Sequence, residues 1–191
     1  MRIGVLALQG DVIEHKSVLR SLGMEPIEIR TPEDLEGISG LILPGGESTT
    51  IGKLMRRVNL DTTIKRLVRE GMPIFGTCAG MILLAKEIEG EEKSHLGLID
   101  ITVRRNDYGR QLDSFETNVK TSISSKPIHV AFIRAPVMTR HDKDVEVLAT
   151  HSGHVVLARQ RNVLVASFHA EITDETAVHE YFIRMLKGDD P

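Results

Sequence analysis

Short strand-like runs alternate with segments of helical periodicity along the first part of this chain, and that alternation limits the folds open to it. Residues 3–8 are apolar without polar alternation, as in a strand buried on both faces of a parallel sheet. Further strands are predicted at 25–30, 40–43 and 73–75, and helices at 12–22, 48–58 and 60–70. This order predicts a doubly wound, flavodoxin-like α/β fold whose mixed, mainly parallel sheet is flanked by helices.

The later part of the chain has a different pattern. Between residues 99 and 159 the helical period fades and short runs alternate with polar turns. We interpret these runs as antiparallel strands added to the same sheet, at 101–103, 115–119, 129–133, 145–149 and 155–158. A buried strand at 163–168 and a closing helix at 177–186 follow. The length of 191 residues predicts a single domain spanning 1–191.

The only cysteine, Cys78, stands where a predicted strand gives way to a helix. The segment Gly76-Thr77-Cys78-Ala79-Gly80 is the cysteine form of a nucleophile elbow, which exposes one side chain at the top of a sheet. A helix beginning near Ala79 would favour the reactive thiolate, and the Ala79 amide would face a substrate oxygen. A lone cysteine on an apolar segment is more often a small buried hydrophobe, but the two glycines favour the nucleophile.

A general base and its partner are predicted at the end of another strand. In an extended chain His169 and Glu171 project to the same side, so the carboxylate can orient an imidazole that takes the thiol proton. Gly45-Gly46 is a natural source of a second oxyanion amide. Because ligands bind beyond the carboxyl ends of parallel strands, these features and Gln9-Gly10 are expected to meet at one edge.

Composition and spacing exclude several other functions. The net charge of −3 gives no basic surface of the kind that binds nucleic acid. A membrane-spanning helix needs about 20 consecutive apolar residues, and no segment comes close to that length. One cysteine suits a reducing compartment, so we expect a cytoplasmic protein. Residues 46–54 resemble a phosphate loop, but Leu54 stands where Ser or Thr should hold magnesium. His151 and His154 fit a solvated turn better than a metal site, and we expect no metal or cofactor.

Several segments together resemble the class I, or triad, glutamine amidotransferases, and most closely the glutaminase subunits of pyridoxal 5'-phosphate synthases. The resemblance spans essentially the whole chain, and the Pro-Gly-Gly-Glu-Ser-Thr-Thr and Phe-His-Ala-Glu segments are its most specific parts. The matching segments are Leu8-Gln9-Gly10, Leu43-Pro44-Gly45-Gly46-Glu47-Ser48-Thr49-Thr50, Gly76-Thr77-Cys78-Ala79-Gly80, Arg105-Asn106, Gly109-Arg110-Gln111, Phe132-Ile133-Arg134-Ala135-Pro136 and Ser167-Phe168-His169-Ala170-Glu171.

The resemblance implies a role for each of these positions. Cys78 would be the nucleophile, His169 the acid and base, and Glu171 its orienting partner, with the Gly46 and Ala79 amides as oxyanion donors. Gln9 and Gly10 would lie beside the oxyanion region, where a partner docks. The implied glutamine-binding residues are Gly46, Glu47, Ser48, Arg105, Ile133 and Arg134.

The resemblance also implies a reaction and a partner. Such subunits hydrolyse L-glutamine to L-glutamate and ammonia through a cysteine thioester. The ammonia passes to a (β/α)₈-barrel synthase subunit in a large hetero-oligomer that makes pyridoxal 5'-phosphate, and the glutaminase is active only in that complex.

Three other interpretations stay open on the residues alone. The chain could be a different cysteine hydrolase, a non-catalytic flavodoxin-like binding module, or an amidotransferase subunit of another pathway. The basic residues Arg104, Arg105 and Arg110 fit a charged loop as well as a carboxylate-binding site. Residues 84–97, with four glutamates, match no motif, and their role is open.

Overall fold

The computed structural model describes residues 1–105 and 114–189 of the chain. Its helices are α1 (Val12–Ser21), α2 (Ser48–Arg57), α3 (Leu60–Arg69), α4 (Ala79–Leu84) and α5 (Ala177–Lys187), with a 3₁₀ turn at Pro32–Leu35. Its strands are β1 (Arg2–Leu6), β2 (Glu25–Ile29), β3 (Gly40–Leu43), β4 (Ile74–Thr77), β5 (Ala85–Ile88), β6 (Ile99–Arg104), β7 (Ser114–Val119), β8 (Ile128–Ile133), β9 (Val137–His141), β10 (Glu146–His151), β11 (His154–Gln160) and β12 (Val163–Ala166).

Ten of the described strands form one mixed sheet in the order β2-β1-β3-β4-β12-β11-β9-β6-β5, with β10 paired to β11. The first five strands of this order are parallel and form what we call the parallel half. Their order matches the flavodoxin-like 2-1-3-4-5 arrangement, with β12 in the fifth place and the switch point between β1 and β3. The predicted fold class is confirmed.

The two faces of the parallel half bury two separate apolar clusters. Neighbouring residues of a strand point to opposite faces, so Leu41 and Leu43 join the cluster under α2, α3 and α4, whereas Ile42 joins the cluster under α1 and α5. Helix α3 buries Leu60, Ile64 and Val68, one residue per turn. Apolar stripes at helical spacing therefore cover both faces of the sheet, as expected for a doubly wound fold.

The remaining strands, β5, β6, β9, β10 and β11 with the pair β7–β8, form what we call the added half. The prediction that runs 115–119 and 129–133 join the main sheet is wrong, because β7 and β8 pair only with each other in a separate antiparallel sheet. Alternation identifies a strand but does not identify its partner. An isolated bridge between Ala131 and His169 nevertheless ties this small sheet to the end of β12.

Two strands of the added half were not predicted from the sequence. Strand β5 starts directly after α4 and exposes Lys86 and Glu87, so its apolar signal is weak. Strand β9 buries only Val137 and Met138 and pairs antiparallel with β6. The segment 84–97, whose role the sequence left open, thus contains a sheet strand and the loop that follows it.

Some sequence features lie outside the described residues. They are Asn106, Gly109, Arg110 and Gln111, which fall within 106–113. Residues 1–105 and 114–189 contain no helix with the length and apolar character needed to cross a bilayer.

Candidate active site

A cavity of about 440 Å³ opens at the carboxyl ends of the parallel strands. Eleven of the twelve predicted site residues line it, and Glu171 lies one layer deeper, behind His169. The lining residues predicted from sequence are Gln9, Gly10, Gly46, Glu47, Ser48, Cys78, Ala79, Arg105, Ile133, Arg134 and His169. Segments far apart in sequence therefore meet at one site.

Cys78 occupies a sharp turn between β4 and α4. Its φ of 48° and ψ of −103° lie in a region that L-residues rarely adopt, as expected for a nucleophile elbow. The Cys78 amide donates to the Ala166 carbonyl at 2.9 Å and so fixes the turn to β12. A Cβ at Gly80 would lie 2.1 Å from the Leu43 carbonyl oxygen, so only glycine lets this turn pack against β3.

The register of two parallel strands places the predicted base beside the nucleophile. Strand β12 pairs Ala166 with Thr77 of β4, so the chains that leave the two strands run side by side. The Glu171 Oε1 atom lies 2.7 Å from His169 Nδ1, which leaves Nε2 of the ring for the Cys78 thiol. Cys78 and His169 line the same cavity, and Cys78 is close enough to raise the pKa of His169. We call these three side chains, in the order Cys78, His169 and Glu171, the Cys-His-Glu line.

The environment favours an ion pair in this line. Burial lowers the pKa of His169, but its interactions with Cys78 and Glu171 outweigh burial and raise the pKa to about 10. Burial raises the pKa of Glu171, but its interactions with His15 and His169 hold it at about 2. At neutral pH the site therefore holds an imidazolium between a carboxylate and the sulfur.

The loop after β3 forms the opposite wall of the cavity. A Cβ at Gly45 would lie 2.3 Å from His169 Cε1, so the loop backbone packs directly on the imidazole. Gln9 Oε1 accepts the Glu47 amide at 2.7 Å and ties this loop to the end of β1. The Glu47 carboxylate caps α2 by accepting the Thr49 and Thr50 amides. The Thr50 side chain and these two amides lower the pKa of Glu47 to about 2, against the effect of burial.

Arg105 is held at the edge of the cavity by residues from two segments. Its Nε donates to Glu91 Oε1 at 2.6 Å, and its guanidinium also donates to the Ser48 hydroxyl. Glu91 belongs to the loop after β5, so residues 84–97 contribute to this wall. A guanidinium fixed in this way presents positive charge to a substrate carboxylate.

The small sheet β7–β8 supplies a third wall. His169 and Ala131 exchange backbone hydrogen bonds of 2.7 and 3.2 Å, which sets the end of β8 beside the Cys-His-Glu line. The Cys78 thiol donates to the Ile133 carbonyl oxygen at 3.8 Å. Arg134 follows with a φ of 42° and lines the same cavity.

A second carboxylate lies close to the His169 imidazole. It was not among the site residues predicted from the sequence. Asp11 Oδ2 lies 3.4 Å from His169 Nδ1, and burial raises the pKa of Asp11 although His169 opposes the shift. Ligand atoms of Asp11, His169 and Glu171 lie within 4.8 Å of one another. Nδ1 of His169 is already hydrogen-bonded to Glu171. Asp11, His169 and Glu171 therefore fit a hydrogen-bonded cluster better than a cation site.

Other residues near the site also escaped the sequence reading. Thr49, Ile82 and Ile172 line the cavity, whereas His15, Thr77 and His179 lie behind Glu171. Asp11 directly follows Gln9-Gly10. The rule that ligands bind beyond the carboxyl ends of parallel strands was therefore sufficient to identify it. His15 stands within the apolar stripe of α1, where a histidine is itself a signal.

Comparison with known proteins agrees with this geometry. A model of the SNO glutamine amidotransferase family matches residues 5–188. The pyridoxal 5'-phosphate synthase subunit PdxT of Thermosipho africanus is 51% identical over 187 residues, covering 98% of this chain and 100% of that protein.

Solved structures give the same result. A crystal structure of a glutamine amidotransferase superposes with a TM-score of 0.93 at 48% identity, covering 97% of this chain and 98% of that one. A glutamine amidotransferase from Thermotoga maritima shares the fold alone, with a TM-score of 0.65 at 16% identity over 99% of this chain and 85% of that one. With a family model spanning nearly its full length and a relative at half identity, the chain belongs to the SNO glutamine amidotransferase family.

Proposed function

We propose that this chain is the glutaminase subunit of a pyridoxal 5'-phosphate synthase and hydrolyses L-glutamine to L-glutamate and ammonia. One observation carries the proposal: the strained Cys78 lines a cavity together with His169, whose ring is hydrogen-bonded at 2.7 Å to the buried Glu171. Family membership and the PdxT relative at 51% identity support the same activity. We assign it to one domain spanning the chain.

The reaction follows from the positions of these groups. The Cys78 thiolate attacks the side-chain amide carbon of glutamine, and the tetrahedral oxyanion takes hydrogen bonds from backbone amides. Ala79 is the first residue of α4, so its N–H has no partner within the helix and is available as one donor. We assign the second donor to Gly46. His169 protonates the departing ammonia, and a thioester remains on Cys78.

Hydrolysis of the thioester completes the cycle. A water molecule loses its proton to His169 and attacks the thioester carbon, and glutamate leaves as the thiolate re-forms. Glu171 holds the ring in the tautomer that both half-reactions need. We assign binding of the glutamine α-carboxylate to Arg105 and Arg134, and the rest of the pocket to Glu47, Ser48 and the Ile133 carbonyl.

The ammonia requires a partner, because free ammonia is protonated in water and is no longer a nucleophile. We propose that a (β/α)₈-barrel synthase subunit docks near Gln9 and Gly10, receives the ammonia in a large hetero-oligomer and activates the glutaminase. Docking would orient the Gly45-Gly46 peptide for the oxyanion. The Cys78 thiol must stay reduced to act, which suits the cytoplasm.

The test measures glutamate and ammonia release from glutamine by this chain alone and with a barrel subunit. We expect release that depends on the partner and is absent in Cys78→Ala, whose fold is checked by circular dichroism. Release that persists in Cys78→Ala, or no release by the folded complex, would contradict the proposed function.

A further inference from the structure

The Glu171 carboxylate has a second set of partners on the side away from His169. His15 Nε2 lies 3.4 Å from Glu171 Oε1 and 3.0 Å from the Thr77 hydroxyl, which is itself 3.4 Å from Oε1. His15 Nδ1 lies 3.0 Å from His179 Nε2. His15, Thr77 and His179 are fully buried, so a line of polar groups extends the triad from the cavity into the core under α1 and α5.

The hydrogen-bonding partners determine where the ring protons lie. His179 Nδ1 has no partner among the described residues, so a proton there would be a buried donor left unpaired. The favoured arrangement therefore puts the His179 proton on Nε2, from which it donates to His15 Nδ1. His15 must then carry its own proton on Nε2, where it faces the Glu171 carboxylate and the Thr77 hydroxyl.

Both histidines are neutral in this arrangement. Burial lowers the pKa of His15, against the attraction of Glu171, and burial with the nearby His15 lowers the pKa of His179 to about 3. The other titratable groups acting on His15 are His169, Asp11 and Glu14, and Phe75 and His179 pack against its ring. A neutral N–H donor stabilises the carboxylate without placing a second cation in the core.

We propose that His15 is a positioning residue that fixes and stabilises the Glu171 carboxylate from behind, with His179 holding His15 in the required tautomer. The inference rests on the proposed glutaminase function and adds two residues to its machinery. Glu171 sits at the bottom of the site with its Oε2 lacking a partner among the described residues, so Oε1 takes the hydrogen bonds that orient it.

The test compares His15→Phe with His15→Gln in the complex with the barrel subunit. Phenylalanine keeps the ring packing but removes the donor, so we expect kcat to fall by about 10-fold or more while KM changes by less than about 2-fold. The acidic limb of the pH–kcat profile should move to higher pH, because a carboxylate that loses a donor gains a proton more easily. Glutamine at position 15 can place an amide N–H near Glu171 and should restore both properties.

A matched core variant separates positioning from folding. Val68→Ala removes buried volume from α3 on the other face of the sheet, so it should lower stability without moving the acidic limb. The proposal is overturned if His15→Phe keeps the natural kcat and pH profile. It is equally overturned if His15→Gln loses as much activity as His15→Phe.

A measurement on the natural protein covers the case in which His15→Phe does not fold. Nitrogen-15 shifts of the histidine rings should show both His15 and His179 neutral and protonated at Nε2 at pH 7. Protonation of His15 at Nδ1 would overturn the inference. Absence of glutamine hydrolysis by the natural complex would instead contradict the proposed function, and the ring shifts would still decide whether His15 donates to Glu171.

Discussion

The parallel half and the added half of the molecule contribute different things to one site. The parallel half supplies Cys78, His169 and Glu171 from the ends of two adjacent strands, and the loop amide of Gly46. The added half supplies Arg105, Arg134 and the Ile133 carbonyl, which surround the cavity from the other side. We propose that the first half performs the chemistry and that the second half supplies the cationic groups that bind the substrate carboxylate.

The largest effect is expected from a substitution in the parallel half, which carries the proposed nucleophile and base. Glu171→Gln removes the charge that stabilises the His169 imidazolium and permits the wrong ring tautomer, so kcat should fall by about 10⁴-fold. Stopped assays of glutamate release by the complex measure it. Glu180→Gln, at an exposed position on α5, is the control and should retain the natural rate. Equal activity of the two variants would remove Glu171 from the mechanism.

A smaller effect is expected where the loop of the parallel half meets the base. Gly45→Ala places a Cβ 2.3 Å from His169 Cε1, so the imidazole or the loop must shift and kcat should fall by about 100-fold. Gly23→Ala has no atom within 4 Å of its new Cβ and should affect stability alone. Natural kcat in Gly45→Ala would show that this packing does not hold His169 in place.

A substitution in the added half is expected to weaken glutamine binding. Arg105→Gln removes a charged donor from the cavity wall, so KM for glutamine should rise by about 10- to 100-fold while kcat stays within about 3-fold. Arg104→Gln, at the preceding and more exposed position, should leave KM unchanged. If Arg105→Gln instead lowers kcat with KM unchanged, the two halves do not divide the work in this way.

A separate effect, on stability and not on kinetics, is expected on the parallel side. The pKa of His179 is about 3 in the folded chain and 6.5 in the unfolded chain, so below pH 6.5 the unfolded state binds an additional proton. The free energy of unfolding should therefore decrease as pH falls from 6.5 towards 3, by up to about 1.4 kcal/mol per pH unit from this group. The decrease is complete only near pH 3.

Denaturant titrations between pH 4 and 7 of the natural protein and His179→Leu measure that slope. The variant should be less stable at pH 7 but lose stability less steeply on acidification. His154→Leu, at an exposed position, should keep the natural slope. An unchanged slope in His179→Leu would mean that this histidine is not held neutral by the fold.

The two halves also differ in how much the sequence predicted. The parallel half followed from apolar runs and helical periods, because strands buried on both faces and stripes such as Leu60, Ile64 and Val68 produce strong local patterns. Strand-end geometry then brought Cys78 and His169 together in the prediction. Their separation in sequence did not matter, since parallel strands end at a common edge.

The added half was predicted less well for a physical reason. Strands β5 and β9 each bury two residues, and the partner of β7 depends on long-range packing that alternation does not encode. The Glu91–Arg105 contact and the His15–Glu171 contact join residues far apart in sequence without a shared motif. Local patterns can single out a residue such as His15, but they do not identify its contact partner.

One measurement tests the division of the site most directly: the time course of Cys78 modification by an electrophilic glutamine analogue, followed by intact-protein mass spectrometry of the complex. We expect one adduct at Cys78, prevented by excess glutamine, with a lower maximal rate in Glu171→Gln and a higher half-saturating concentration in Arg105→Gln. An adduct at another residue would contradict the account, as would a change in the same parameter for both variants.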